Sequence, residues 1–137
     1  YAMLFYREIE KNVVMHSGEK KGSIILTPIL HTIEPNMGWT SLSIGTMYIP
    51  NLLGMPIGSY TSFCELELKV VDKNGNLIRS YNSDSVITKY SAAYWGYYPK
   101  DAANAAMYGS YKKTLNNLIE QMNNDKELII KELSKKK

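Results

Sequence analysis

Glu65 and Glu67 stand two residues apart in the run Cys64-Glu65-Leu66-Glu67-Leu68-Lys69-Val70. On a strand that spacing puts both carboxylates on one face, close enough to act as a general acid and base. Such work needs burial to drive one pKa upward. Here Glu65, Glu67 and Lys69 alternate with Cys64, Leu66, Leu68 and Val70, so the carboxylates belong to the solvated side. Cys64 falls on the apolar side, where a thiol serves as core, and no neighbouring residue predicts a lowered thiol pKa. The histidines, His16 and His31, lie in different elements, with no second histidine or cysteine at ligand spacing, whereas a structural zinc needs four partners. No Gly-x-Ser-x-Gly elbow, P-loop or Gly-x-Gly-x-x-Gly occurs. The residues therefore predict no catalytic, cofactor-binding or metal site, and the expected role is non-enzymatic.

Two other groups of residues have the chemistry of contact. From Pro35 to Cys64 the chain reads PNMGWTSLSIGTMYIPNLLGMPIGSYTSFC, without one Asp, Glu, Lys or Arg. Three prolines and four glycines interrupt it, denying it the roughly 20 continuous apolar residues of a membrane-spanning helix. Three readings fit: a covered strand and loop of this domain, a contact with a partner or a second copy, or a membrane-inserting hairpin. The last is dimensionally allowed, because a spanning strand takes about 9–11 residues and 39–49 supplies that length. We expect the insert at 39–58 to be the interaction surface, anchored by Trp39, Tyr48, Ile49, Leu52, Leu53 and Met55, since apolar and aromatic side chains dominate contact centres. The second group is Tyr90, Tyr94, Trp95, Tyr97 and Tyr98. Its rings suit stacking on a sugar, a position at a membrane–water interface, or a lid over the end of the core. As a carbohydrate-binding module for cell-wall glycans, the chain would use Tyr94, Trp95, Tyr97 and Tyr98.

The elements that must position these residues follow from composition and periodicity. A chain of 137 residues, 45% hydrophobic and 21% charged, fits one folded domain with a real core. Its net charge of +3 equals the contribution of Lys135, Lys136 and Lys137; the body is neutral, which argues against a nucleic-acid partner. The single cysteine excludes an internal disulfide framework.

Residues 2–16 read as an amphipathic helix, with Ala2, Phe5, Ile9, Val13 and His16 on one face. Residues 23–33 read as a covered strand, with Pro28 marking an edge or a bulge. Residues 39–49 read as a second strand with Leu42, Ile44 and Tyr48 on one side, and 51–59 as a loop. The alternation at 63–71, the turn at Asp72-Lys73-Asn74-Gly75 and the return from Leu77 to about Tyr90 predict a hairpin. A long helix starts near Pro99 with Asp101 as its cap. Its expected apolar stripe is Met107, Tyr108, Tyr111, Leu115, Leu118, Ile119 and Met122. A break at 123–125 precedes a short helix from 126 to 133, and a basic tail at 134–137. The order predicts an α+β domain: an antiparallel sheet with the helices, 2–16 and 101–123, packed on one face.

With the elements placed, the chain resembles a family of bacterial envelope lipoproteins whose small α/β domain is related to the N-terminal domain of TolB and to the curli-secretion lipoprotein. Three stretches carry the likeness. These are the leading FYREIEKNVV with SIILTPIL, the hairpin ELELKVVDKNGNLIRSY, and the Ala-rich AAYWGYYPKDAANAAMYGSYKKTLNNLIEQM. The uncharged insert occupies the place where curli-type members carry membrane-directed or oligomer-forming segments. The resemblance implies a non-enzymatic assembly or transport-accessory role at the bacterial cell envelope, with a protein partner, a homo-oligomer or a membrane surface as the contact. It also implies a periplasmic location, with a lipid anchor carried by residues upstream of Tyr1.

Overall fold

The computed structural model describes residues 21–135, so the helix expected at 2–16 lies outside the described residues. Strand β1 (Gly22–Asn36) leads into helix α1 (Met37–Gly45) and a single helical turn, α2 (Ile49–Leu52). Strands β2 (Gly58–Asp72) and β3 (Leu77–Ser91) follow, then the long helix α3 (Pro99–Asn124) and the shorter α4 (Lys126–Lys135). The strands form one antiparallel sheet in the order β1-β2-β3. This is the α+β architecture that the periodicity predicts.

β2 is central, and its pleat explains the core. Cys64, Leu66, Leu68 and Val70 point to the face covered by α3 and α4, where they meet Leu115, Leu118, Met122 and Ile129. Leu26 of β1 lies opposite Leu68, and Tyr81 of β3 opposite the same residue. Burying each such leucine is worth roughly 1.5–3 kcal/mol. Pro28 does what a proline in a strand must: β1 is an edge, and the register slips between Pro28 and Leu30.

The β2–β3 turn is organised by one side chain. Asp72 Oδ1 accepts the backbone N–H groups of Asn74 and Asn76, each at 2.8 Å, and its Oδ2 accepts Asn76 Nδ2 at 3.0 Å. Gly75 takes a φ of 84°, which a side chain would resist. Near the same end of the sheet, Tyr81 donates its hydroxyl proton to Asp125 Oδ2 at 3.0 Å. Burial first, and then this acceptor, push the Tyr81 phenol up to about 12. Asp125 also ends α3, at the break expected near 123–125.

Three local expectations are corrected. The helix begins at Pro99 behind Tyr98, and Asp101 lies inside its first turn, favourably placed in the helix dipole but not as the cap. The stripe facing the sheet is Ala102, Ala106, Ser110, Thr114, Leu118 and Met122 with Leu115, whereas Tyr108 is exposed. Small residues let the first half of α3 approach the strands closely enough for hydroxyls to pair: Ser62 with Ser110 at 2.9 Å, and Ser85 with Thr114 at 2.8 Å. Hydrophobic periodicity does not register that polar, close-packed half. Finally, α4 continues to Lys135 and takes in the start of the supposed tail.

Candidate functional site: an uncharged helical tip with an aromatic collar

β1 pairs with β2 along their whole lengths, from Gly22 opposite Asp72 to Asn36 opposite Ser59. Residues 39–49 are therefore not a strand between β1 and β2, and the expected strand there is instead helix α1. Asn36 starts it, its Oδ1 accepting the N–H of Gly38 at 2.9 Å, the bond by which asparagine caps a helix. Ser43, buried, returns its hydroxyl to the Trp39 carbonyl at 2.8 Å. The stretch expected as a loop at 51–59 likewise contains the end of α2 and the first residues of β2.

The reversal between the two helices is unusual. Met47 and Tyr48 both adopt left-handed backbone, with φ of 51° and 61°, a conformation costing an L-residue roughly 1–2 kcal/mol. Asn51 then turns the chain back. It is buried, and its Nδ2 donates to the carbonyls of Met55 at 3.2 Å and Pro56 at 3.0 Å. Thr40 Oγ1 donates to the Ile57 carbonyl at 3.2 Å and ties α1 to the start of β2.

This architecture turns apolar side chains outward. Met47 is 84% exposed, Leu53 85% and Leu52 66%, and Ile49 and Tyr48 are exposed beside them. Of the expected anchors, Trp39 and Met55 are half-buried. Met37, Leu42, Ile44 and Met47 were not foreseen as surface, and all four are exposed.

The aromatic cluster meets this tip. Trp95 Nε1 donates to the Gly54 carbonyl at 2.6 Å, joining residues 41 positions apart in the chain. Tyr90 and Trp95 have ring centroids 6.4 Å apart at 50°, and Tyr97 N–H donates to the Tyr90 carbonyl at 3.1 Å. Gly96, at a φ of 79°, makes the bend; a Cβ there would stand 2.7 Å from the Tyr90 carbonyl oxygen. Tyr98 is 82% and Tyr94 69% exposed, and the Lys89 ammonium lies 5.8 Å from the centre of the Tyr97 ring. The rings form a collar at the base of the tip rather than one flat platform.

The residues first considered for catalysis are placed elsewhere. Glu67 accepts from Lys69 at 2.7 Å and Ser80 at 2.8 Å; the Lys69 contact and then the Ser80 bond hold its carboxyl below the usual range. A general acid needs the opposite shift. Glu65 faces Asp84 across the ladder, in an open depression of about 220 Å³ that Phe63, Asn82 and Ser83 complete. Burial pushes the Cys64 thiol up, despite its Thr114 hydrogen bond. His31 Nε2 lies 3.2 Å from Ser62 Oγ, and His16 is outside the described residues. Among the described residues no group of histidine, cysteine, aspartate and glutamate has the arrangement of a metal site, and no helix is long and apolar enough to cross a membrane. No protein-family model, curated protein or solved structure matches the chain.

Proposed function

We propose that this chain is a non-enzymatic binding module of the bacterial cell envelope, serving assembly or transport by presenting the α1–α2 tip to a partner. The observation that carries the reading is the outward display of Met47, Ile49, Leu52 and Leu53 from a segment with no charged residue. Exposed apolar surface of this kind marks contact sites in folded proteins. The envelope setting is supported by the resemblance of the hairpin and the Ala-rich helix to TolB-like and curli-type lipoproteins. The carbohydrate reading draws on the exposure of Tyr94 and Tyr98; the Trp95 indole N–H is engaged by Gly54, which leaves that residue only its ring face for a sugar.

The test is the double substitution Leu52→Asp with Leu53→Asp in the full chain. The thermal midpoint should stay within the range of ordinary surface substitutions, about 0.5 kcal/mol, while association seen by sedimentation or vesicle co-flotation is lost. Collapse of the fold would make these leucines part of the core and overturn the reading.

A further inference from the structure

We infer that the partner of the tip is the surface of a lipid bilayer, entered to a shallow depth by α1–α2 with the aromatic collar at headgroup level; this rests on the binding-module reading above. The strongest support is the disposition of hydrogen bonds. Every backbone N–H from Thr46 to Met55, Pro50 having none, is donated to a carbonyl of the same segment, among Leu42, Ser43, Ile44, Thr46, Tyr48, Pro50 and Asn51. The hydroxyls of Ser43 and Thr46 and the amide of Asn51 are also donated to backbone carbonyls inside it. Hydrocarbon offers no partners, so a segment that enters it must satisfy its backbone groups internally, and the tip meets this for its donors. A tip made for a protein groove would carry polar side chains at its rim for the ten or so hydrogen bonds of a typical interface, and this segment has no charged residue.

The collar adds a second, independent observation. Tyrosine and tryptophan favour the depth at which one end of the ring is apolar and the other wet. Tyr90, Tyr94, Trp95, Tyr97 and Tyr98 gather where the uncharged tip ends, held there by the bond from Trp95 to Gly54. The charged groups bordering tip and collar in the sequence are Glu34, Glu65, Lys89 and Lys100, two of each sign. They leave no net charge to attract anionic headgroups, so the attraction is apolar and aromatic. Interfacial segments of this kind sit about 5–10 Å into the headgroup and acyl boundary, a depth that a short helical tip reaches without spanning.

The experiment uses the full chain and vesicles of phosphatidylcholine alone, so that neither the lysine tail nor an anionic headgroup can drive binding. In the Trp39→Phe variant, Trp95 is the only tryptophan. Its emission should shift to shorter wavelength on vesicles and be quenched by brominated acyl chains, more by bromines near the headgroup than by those near the chain end. Co-flotation should persist in high salt. Leu52→Asp with Leu53→Asp should weaken partitioning by about a hundredfold or more, and Leu53→Ser alone, at the most exposed of these leucines, by less. A folded wild type that does not float with vesicles overturns the lipid assignment; if sedimentation then shows self-association lost in the double variant, the binding module survives with a second copy as its partner. Flotation that is equal in wild type and both variants also overturns it, because another surface is then responsible. Unfolding of both leucine variants overturns the binding-module reading itself.

Discussion

The sheet has two connections between neighbouring antiparallel strands, at opposite ends, and they could hardly differ more. β2 returns to β3 through residues 73–76, all exposed and polar or glycine, and fastened by the carboxylate of Asp72. β1 returns to β2 through residues 37–57, which include two helices and no charged residue. Reversing the chain takes only a few residues, as the first connection shows. Everything beyond that in the second is surplus to the topology, and it is the surplus that carries the two most exposed apolar side chains described, Leu53 and Met47. Loops that exceed their connecting task are commonly functional. The contrast separates a part that maintains the fold from a part that the fold merely supports.

The largest effect that would break or confirm this contrast is in two leucines of equal size. Leu68 is fully buried under α3, whereas Leu53 is 85% exposed on the tip. Leu68→Ala should cost about 2–5 kcal/mol, through lost burial and the cavity left behind, and Leu53→Ala should stay within about 0.5 kcal/mol. Chemical denaturation of the two variants beside the wild type measures both. Comparable losses would mean that the tip is core, and that the division drawn between the connections does not exist.

A smaller effect belongs to the short connection. Asp72→Ala removes the acceptor for the N–H groups of Asn74 and Asn76 and for the Asn76 amide. The turn is exposed, so water replaces part of what is lost, and the expected cost is about 1–2 kcal/mol, in the range of losing a helix cap. Asp72→Asn keeps an acceptor oxygen and should recover most of it. Neither change should alter vesicle partitioning, because the tip lies at the other end of β2. A loss of partitioning in a folded Asp72→Ala protein would show that the two ends are coupled.

What could be read in advance divides along the same line. The β2–β3 hairpin was legible because Cys64, Leu66, Leu68 and Val70 alternate with polar residues and Asp72 to Gly75 are turn formers, so local pattern and tertiary burial agree. Pro28 announced the edge and the bulge for a reason internal to proline. The tip was legible as an uncharged apolar segment, but not as helices: the alternation of Leu42 and Ile44 with small residues imitates a strand, and only the direct pairing of β1 with β2 shows that no strand lies between them. Asn36, a capping residue two before Gly38, was the local sign of α1, and a period of two obscured it. The hydroxyl-rich half of α3 was illegible because Ser110 and Thr114 are held by polar partners on the strands, which periodicity does not weigh. The bond between Trp95 and Gly54 is long-range and leaves no trace in local sequence.

The smallest effect sharpens the comparison most, because it should move stability and association in opposite directions. Met47 is 84% exposed, with a φ of 51°, so it has little packing to lose and a strained backbone to relieve. Glycine accepts that conformation but adds freedom to the unfolded chain, worth roughly 0.5–1 kcal/mol; set against roughly 1–2 kcal/mol of relieved strain, Met47→Gly should stabilise the fold by up to about 1.5 kcal/mol, or a few degrees in the thermal midpoint. It also deletes the apolar side chain at the reversal and should weaken vesicle partitioning. Met47→Ala separates the two effects, since it removes the same apolar atoms beyond Cβ but keeps the strain. It should weaken partitioning about as much, with no gain in the melt. A Met47→Gly protein that melts earlier than the wild type would show that the left-handed reversal is not strained. One that melts later and still binds vesicles as the wild type does would take Met47 out of the contact surface. The expected pair of results, firmer fold and weaker contact from one substitution, is what a tip shaped for association rather than for stability should give.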